Sequence, residues 1–342
     1  TPPSRAGMAY SLRTLGYLNM RAGEYPLGLS QLLQALELCE SLHLEGALAD
    51  VLDGIASIQV EIANYPAALE TAQRQLAVAQ RIDDKLRIAN AYNNLAVIYH
   101  DTGDIARSQE TQLANLQLAR AIGHVRIECM AHINVSDTYY LDGDCATALE
   151  HAFAGLDLCR LHGFGIFAIY ALHLIGKSYV GLARAPEAVT HLEEAVVLAR
   201  RLAPIPTEAF VLVTLGDAYR SMQQFDQARE YLNQGIAVAG AHNNNFELAR
   251  GHQLLSTLYE ELGDSSQALA HFKQHHACKE LATRERTDLR LKVLQVTYDT
   301  ATARKEAELA HLRTVELQAA LDEQARARAQ LRELNDQLEQ QV

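Results

Sequence analysis

The chain has 342 residues, 49% hydrophobic and 21% charged, with 30 basic against 42 acidic side chains for a net charge of −12. Such a chain can bury a large core, and its acidity gives no bulk attraction for nucleic acid or an anionic membrane, so neither is expected as a partner. No apolar run approaches the ~20 residues of a membrane-spanning helix, and Cys39, Cys129, Cys145, Cys159 and Cys278 contain no CxxC pair, which suits reduced thiols in a cytoplasmic setting. The opening TPPSRAG lacks an initiator Met, so the missing signal peptide carries no weight.

From about residue 6 the chain repeats every forty residues, and seven copies align without gaps. One column is aliphatic: Leu15, Ile55, Leu95, Val135, Ile175, Leu215 and Leu255. The next is small: Gly16, Ala56, Ala96, Ser136, Gly176, Gly216 and Ser256. Three residues on stand Asn19, Gln59, Tyr99, Tyr139, Tyr179, Tyr219 and Tyr259. A second small column runs Gly28, Ala68, Ser108, Ala148, Ala188, Ala228 and Ala268. Eight residues further, another aliphatic column runs from Leu36 to Ile236 and breaks at His276. Between the small columns lie turn signals such as Thr102-Gly103-Asp104 and Asp142-Gly143-Asp144. There Gly can take the left-handed conformation that ends a helix, and Asp can cap the next. Each block thus predicts a helix, a tight turn and a second helix, with small residues letting the pair approach to ~8 Å. No stretch shows the apolar–polar alternation of a strand.

This pattern resembles the tetratricopeptide repeat, whose signature is a small residue, an aromatic three later, and a small residue early in the second helix. The resemblance covers residues 6–280 or so and implies an all-α, right-handed superhelical solenoid of seven helix-turn-helix repeats. Two departures stand out. The period is forty rather than ~34, and the Pro that usually follows the second helix is missing from every copy, so the helices are expected to be about a turn longer.

In such a solenoid the first helices line the concave face. That places Asn90, Asn93, Asn94 and His100 at the groove in the third repeat, then Met130, Ile133, Asn134, Asp137 and Tyr140 in the fourth. Tyr170, His173 and Lys177 follow in the fifth, and Phe210, Asp217 and Arg220 in the sixth. In related repeats an Asn just before the aliphatic column often holds a peptide backbone. Asn94 and Asn134 occupy that position; Thr14, Gly54, Leu174, Thr214 and Leu254 do not match it. An amide both donates and accepts, as a peptide unit does, so the resemblance implies a groove for an extended peptide or protein segment. The alternative is that these Asn residues brace neighbouring helices.

No GxSxG, P-loop or HExxH motif occurs, and no catalytic residue, cofactor or metal is expected. The stretch HGFGIF (162–167) lacks a third Gly and a preceding strand, and reads as the loop between the fourth and fifth repeats. His271 and His275 lie four apart on a helix and could reach one ion. No local carboxylate or Cys completes a set, and His275 and His276 read as the solvated end of the stack. The Tyr column reads as packing, and Cys39 and Cys159 as core thiols.

After Gly263 there is no Gly or Pro for 79 residues, and the composition favours one long helix. The forty-residue register ends near 280, which divides the chain into a solenoid (1–280) and a connector with a coiled coil (281–342). Leu317, Leu321, Leu331, Leu338 and Val342 form a seam, with Asn335 at an a position, a pattern that favours a parallel two-stranded coil and hence a homodimer. Leu309 and Leu312 fall out of phase, so a stutter is expected near 313–316. The wording Ala303-Arg304-Lys305-Glu306-Ala307-Glu308-Leu309, then Leu312-Arg313 and Val315-Glu316-Leu317, resembles the connector of bacterial multidomain signalling proteins. Those proteins place tetratricopeptide repeats before a coiled coil and an output domain, commonly a diguanylate cyclase with a GGDEF signature, otherwise a histidine kinase. The resemblance implies a non-catalytic sensory and dimerisation module, regulating an output domain beyond Val342. The alternative is a free-standing scaffold that binds peptides in its groove.

Overall fold

A computed structural model describes residues 4–202 and 207–341, with side chains described as far as residue 331. Every regular element among the described residues is an α-helix. In chain order these are α1 (Arg5–Arg21), α2 (Tyr25–Ser41), α3 (Glu45–Glu61), α4 (Tyr65–Arg81), α5 (Lys85–Asp101), α6 (Ile105–Ala121) and α7 (Val125–Leu141). Then come α8 (Cys145–His162), α9 (Gly165–Gly181), α10 (Ala185–Leu202), α11 (Thr207–Ser221), α12 (Phe225–Ala241), α13 (Asn245–Glu261) and α14 (Ser265–Gln341). They form seven helix-turn-helix repeats. The chain falls into two compact units, residues 1–290 and 291–342, and the repeats occupy the first.

The turns explain the long period. A left-handed residue closes each one at intervals of twenty: Gly23, His43, Ala63, Asp83, Gly103, Gly123, Gly143, Gly163 and Ala183, then Gln223, Asn243 and Gly263. The next backbone N–H then reaches the carbonyl five residues back, as Asn64 does to Gln59 at 2.8 Å and Asp264 to Tyr259 at 2.9 Å. The structural interval is therefore half the sequence period, because turns between repeats share the geometry of turns within them. Most helices are consequently seventeen residues long, as α5 and α6 are. The starts of α5, α6, α8 and α13 are fixed by Asp84, Asp104, Asp144 and Asn244, whose side chains accept from the backbone N–H three residues on. Pro26 and Pro66 sit in the first turns of α2 and α4, where a missing N–H is harmless.

The two small columns meet in the core. Ser108 donates to the carbonyl of Ala96 at 3.0 Å, Ser136 to that of Ala148 at 2.8 Å, and Ser256 to that of Ala268 at 3.0 Å. Where the first column is Gly, the second helix instead brings a leucine into the gap. A Cβ on Gly16, Gly176 or Gly216 would lie 2.5–2.6 Å from Leu32, Leu192 or Leu232. Each such leucine is fully buried, a burial that stabilises by about 1.5–3 kcal/mol. Leu15 alone in its aliphatic column is exposed. The HGFGIF stretch contributes a shorter loop than its glycines suggest: α8 ends at His162, only Gly163 and Phe164 intervene, and α9 begins at Gly165.

Candidate functional site

Successive first helices touch one another, α5 with α7, α7 with α9, α9 with α11, and α11 with α13. Side chains forty or forty-one residues apart therefore meet on this wall. Asn134 Nδ2 donates to Asn93 Oδ1 at 2.9 Å, and Lys177 Nζ to Asp137 Oδ1 at 3.1 Å. Arg220 bridges Asp217 at 2.8 Å and Glu261 of the next first helix.

Eight of the residues predicted for the groove line a single cleft of about 500 Å³: Ile133, Asn134, Asp137, Tyr140, Tyr170, His173, Lys177 and Phe210. Leu174 completes its wall, with Phe246, Glu247 and Arg250 from α13. The aromatic side is ordered by contact. Tyr170 stacks on Phe210 with ring centroids 5.5 Å apart, and His173 tilts onto the same ring at 4.6 Å. The polar side is a chain of bonds. Thr214 gives its hydroxyl proton to the Phe210 carbonyl and receives Arg250 Nη2 at 2.7 Å, so the 2.9 Å contact from His173 Nε2 is a donation to Thr214 Oγ1.

Electrostatics hold this wall together. Burial works to raise the Asp137 carboxyl, but His100 and Lys177 outweigh it and keep the group below the usual carboxylate range. The carboxylates of Asp101, bonded at 3.0 Å, and Asp137, at 3.5 Å, lift His100 to about 9, so this imidazole is cationic at neutral pH. Burial pushes His173 well below its ordinary value, helped by Lys177 and Arg250, which keeps it neutral. Lys177 also lies 4.2 Å from the centre of the Tyr140 ring, a cation–π contact.

The remaining predicted residues lie elsewhere. Asn90 is exposed on α5. Asn94 spends both amide hydrogens on bracing, to Asp53 Oδ1 at 2.9 Å and Gln75 Oε1 at 3.0 Å. Asn93 accepts from Asn134, and Arg220 is held by its two carboxylates. Phe246, Glu247 and Arg250 were missed by the sequence reading. The signal was there, because Tyr170, Phe210 and Arg250 stand forty residues apart in one column. His271 turns to His252, with Nδ1 atoms 3.1 Å apart, and His275 bonds the Ala249 carbonyl at 2.8 Å. Among the described residues no group of three or more His, Cys, Asp or Glu is arranged to hold a metal ion. Also among them, no helix is long and apolar enough to cross a membrane. Leu317, Leu321 and Leu331 are exposed on α14. The side chains of Asn335 and Leu338, and all of Val342, fall outside the described residues.

Comparison with known proteins agrees with this architecture. Residues 89–121 match the tetratricopeptide repeat, as do two overlapping segments, 167–241 and 211–280. No curated protein sequence matches the chain. Among solved structures, the apo form of RapI superposes with a TM-score of 0.67 at 11% identity, over 81% of this chain and 99% of that one. The Rap conjugation gene regulator of plasmid pLS20, in complex with the Phr* peptide, gives 0.64 at 16% identity, over 81% and 74%. A signal transduction ATPase with numerous domains and a tetratricopeptide repeat sensor, from Pyrococcus horikoshii, gives 0.58 at 15% identity. This chain spans 46% of that protein's length. At such identities the likeness is one of fold. With tetratricopeptide repeats matched at 89–121 and 167–280 among seven helix pairs, the chain has the fold of a tetratricopeptide-like solenoid.

Proposed function

We propose that this chain is a non-catalytic scaffold whose first helices receive an extended peptide segment. The observation that carries the reading is the cleft of about 500 Å³, with an aromatic wall (Tyr140, Tyr170, Phe210) facing a row of already paired charges. Aromatic side chains offer large apolar contact at low entropic cost, and amides beside them can match a peptide backbone. A repeat protein of like fold that is solved in complex with a peptide lends support. The test is selection of a randomised peptide library on the full chain. Tyr170→Ala and Phe210→Ala should each weaken the selected peptides at least ten-fold while helicity by circular dichroism is unchanged. Undiminished binding would place the peptide elsewhere.

The second reading is a regulatory half of a signalling protein that pairs through residues 281–342. It draws on exposed apolar residues along α14, among them Leu309, Leu312, Leu317, Leu321 and Leu331. A long helix with an uncovered apolar stripe is unstable alone and is satisfied by a second copy. Control of a cyclase or kinase output domain, expected from the connector's wording, finds no support among the comparisons, and the scaffold is the better-supported reading. Light scattering decides the pairing: twice the mass of one chain at tens of micromolar supports it, and a monomer sinks it. A cytoplasmic setting suits the five free, buried cysteines.

A further inference from the structure

Charge is distributed unevenly along the concave groove. At the end nearest the N-terminus two cations of the first helices are paired. Arg13 pairs with Asp50 at 2.7 Å, and Arg87 is shared between Asp50, at 2.8 Å, and Asp84. In the middle, Lys177 is held by Asp137 and Arg220 by Asp217 and Glu261. The other end differs. A second cavity of about 610 Å³ opens between α13 and the part of α14 before Arg290, and it shares Phe246 and Arg250 with the aromatic cleft. Its lining includes Lys279 and Arg286, both exposed, and neither has an ion-pair or side-chain hydrogen-bond partner among the described residues. Asp217 is the one carboxylate in that lining, and Arg220 already neutralises it.

From this asymmetry we infer that the groove takes its peptide in one direction, with an acidic segment seated between α13 and α14 on Lys279 and Arg286. The inference rests on the peptide-groove reading and adds to it the charge and polarity of the ligand. Two unpaired cations beside exposed Phe246 suit carboxylates next to an apolar side chain. In a chain of net charge −12, this local pair of cations gives an anionic segment its attraction and so sets the register.

The experiment is the same library selection, run on the full chain and on the K279Q/R286Q variant. Both positions are exposed, so the variant should fold, and circular dichroism verifies it. The expected result is enrichment of Asp or Glu at one end of the selected peptides on the full chain, lost on the variant. The best peptide and its Glu→Gln or Asp→Asn analogue are then compared by fluorescence anisotropy. The acidic form should bind at least ten-fold tighter to the full chain, and the two should be equal on the variant. Selected peptides that are neutral or basic, yet lose binding with Tyr170→Ala, would overturn the acidic register and leave the groove standing. A charge preference that survives K279Q/R286Q would also overturn it. No enrichment at all would overturn both proposals.

Discussion

His132 of α7 faces His151 of α8 with their Nδ1 atoms 3.1 Å apart. Arg120 donates to His132 Nε2 at 2.9 Å, so His132 must carry its proton on Nδ1 and give that bond to His151. Burial first, then His151 and Arg120, lower His132 to about 4, while Glu128 opposes them. Burial lowers His151 too, and Tyr139 stacks on its ring. The unfolded chain takes up a proton near the ordinary imidazole value of ~6.5, and the folded chain refuses it until about 4. Stability from His132 is therefore present above that ordinary value and falls as pH drops through the window, by at most about 3 kcal/mol. His100 has the opposite sign, its contribution being lost as pH rises toward about 9. The fifth repeat has Leu172 and the second has Thr71 at the matching positions. H132L/H151T should therefore flatten the acid limb of a urea-midpoint-against-pH curve, though His252 and His271 leave some slope. An unchanged limb would remove the pair from the account. The turns make a second residue-level prediction. Ala63 and Ala183 hold φ of +54° and +57°, where a side chain costs about 1–2 kcal/mol. Ala63→Gly should stabilise by about 1 kcal/mol, and Gly103→Ala should destabilise by a similar amount, both read from denaturation midpoints. Turns with Gly were legible in the sequence. His43, Ala63 and Gln223 were not, because nothing in those residue types signals a left-handed backbone.

At the scale of the element, the repeats close their helix pairs in different ways. Gly176 admits Leu192, whereas the second repeat sets Ala56 and Ala72 in the same places. Leu192→Ala alone should cost about 2–5 kcal/mol by leaving a cavity. Adding Gly176→Ala fills part of that space, so G176A/L192A should be more stable than the sum of its single variants by at least about 1 kcal/mol. Additive effects would show that the two helices do not share the gap. The small column was plain in the sequence. Its partner sixteen residues on was not, since that position varies among Leu, Ala, Gln and Phe and each column read alone looks merely tolerant. The groove divides in the same way. Tyr170, His173 and Lys177 were readable because the period puts them on one face, while the partners of Asn94 come from α3 and α4 and no local pattern announces them.

At the scale of the molecule, the fold class was the most legible feature, because seven copies in register leave few architectures open. The boundary after the repeats was less so. The register ends near 280, whereas the compact units divide after Arg290, and α14 runs through both positions without a Gly or Pro to mark either. A chain ending at Arg290 should melt within a few degrees of the intact protein, followed by circular dichroism. A large fall would mean that residues 291–342 stabilise the repeats.

The even spacing of the turns also bears on how the chain would answer a mechanical load. Stretched from its ends, a stack held mainly by neighbour-to-neighbour contacts has no single clasp to release. It should give way one repeat at a time, as a sawtooth of nearly equal force peaks in an optical trap. Each step would pay out forty residues of chain, or roughly 130–145 Å at full extension before the width of the folded repeat is subtracted. The groove would widen before any helix was lost, so tension itself would loosen a bound peptide.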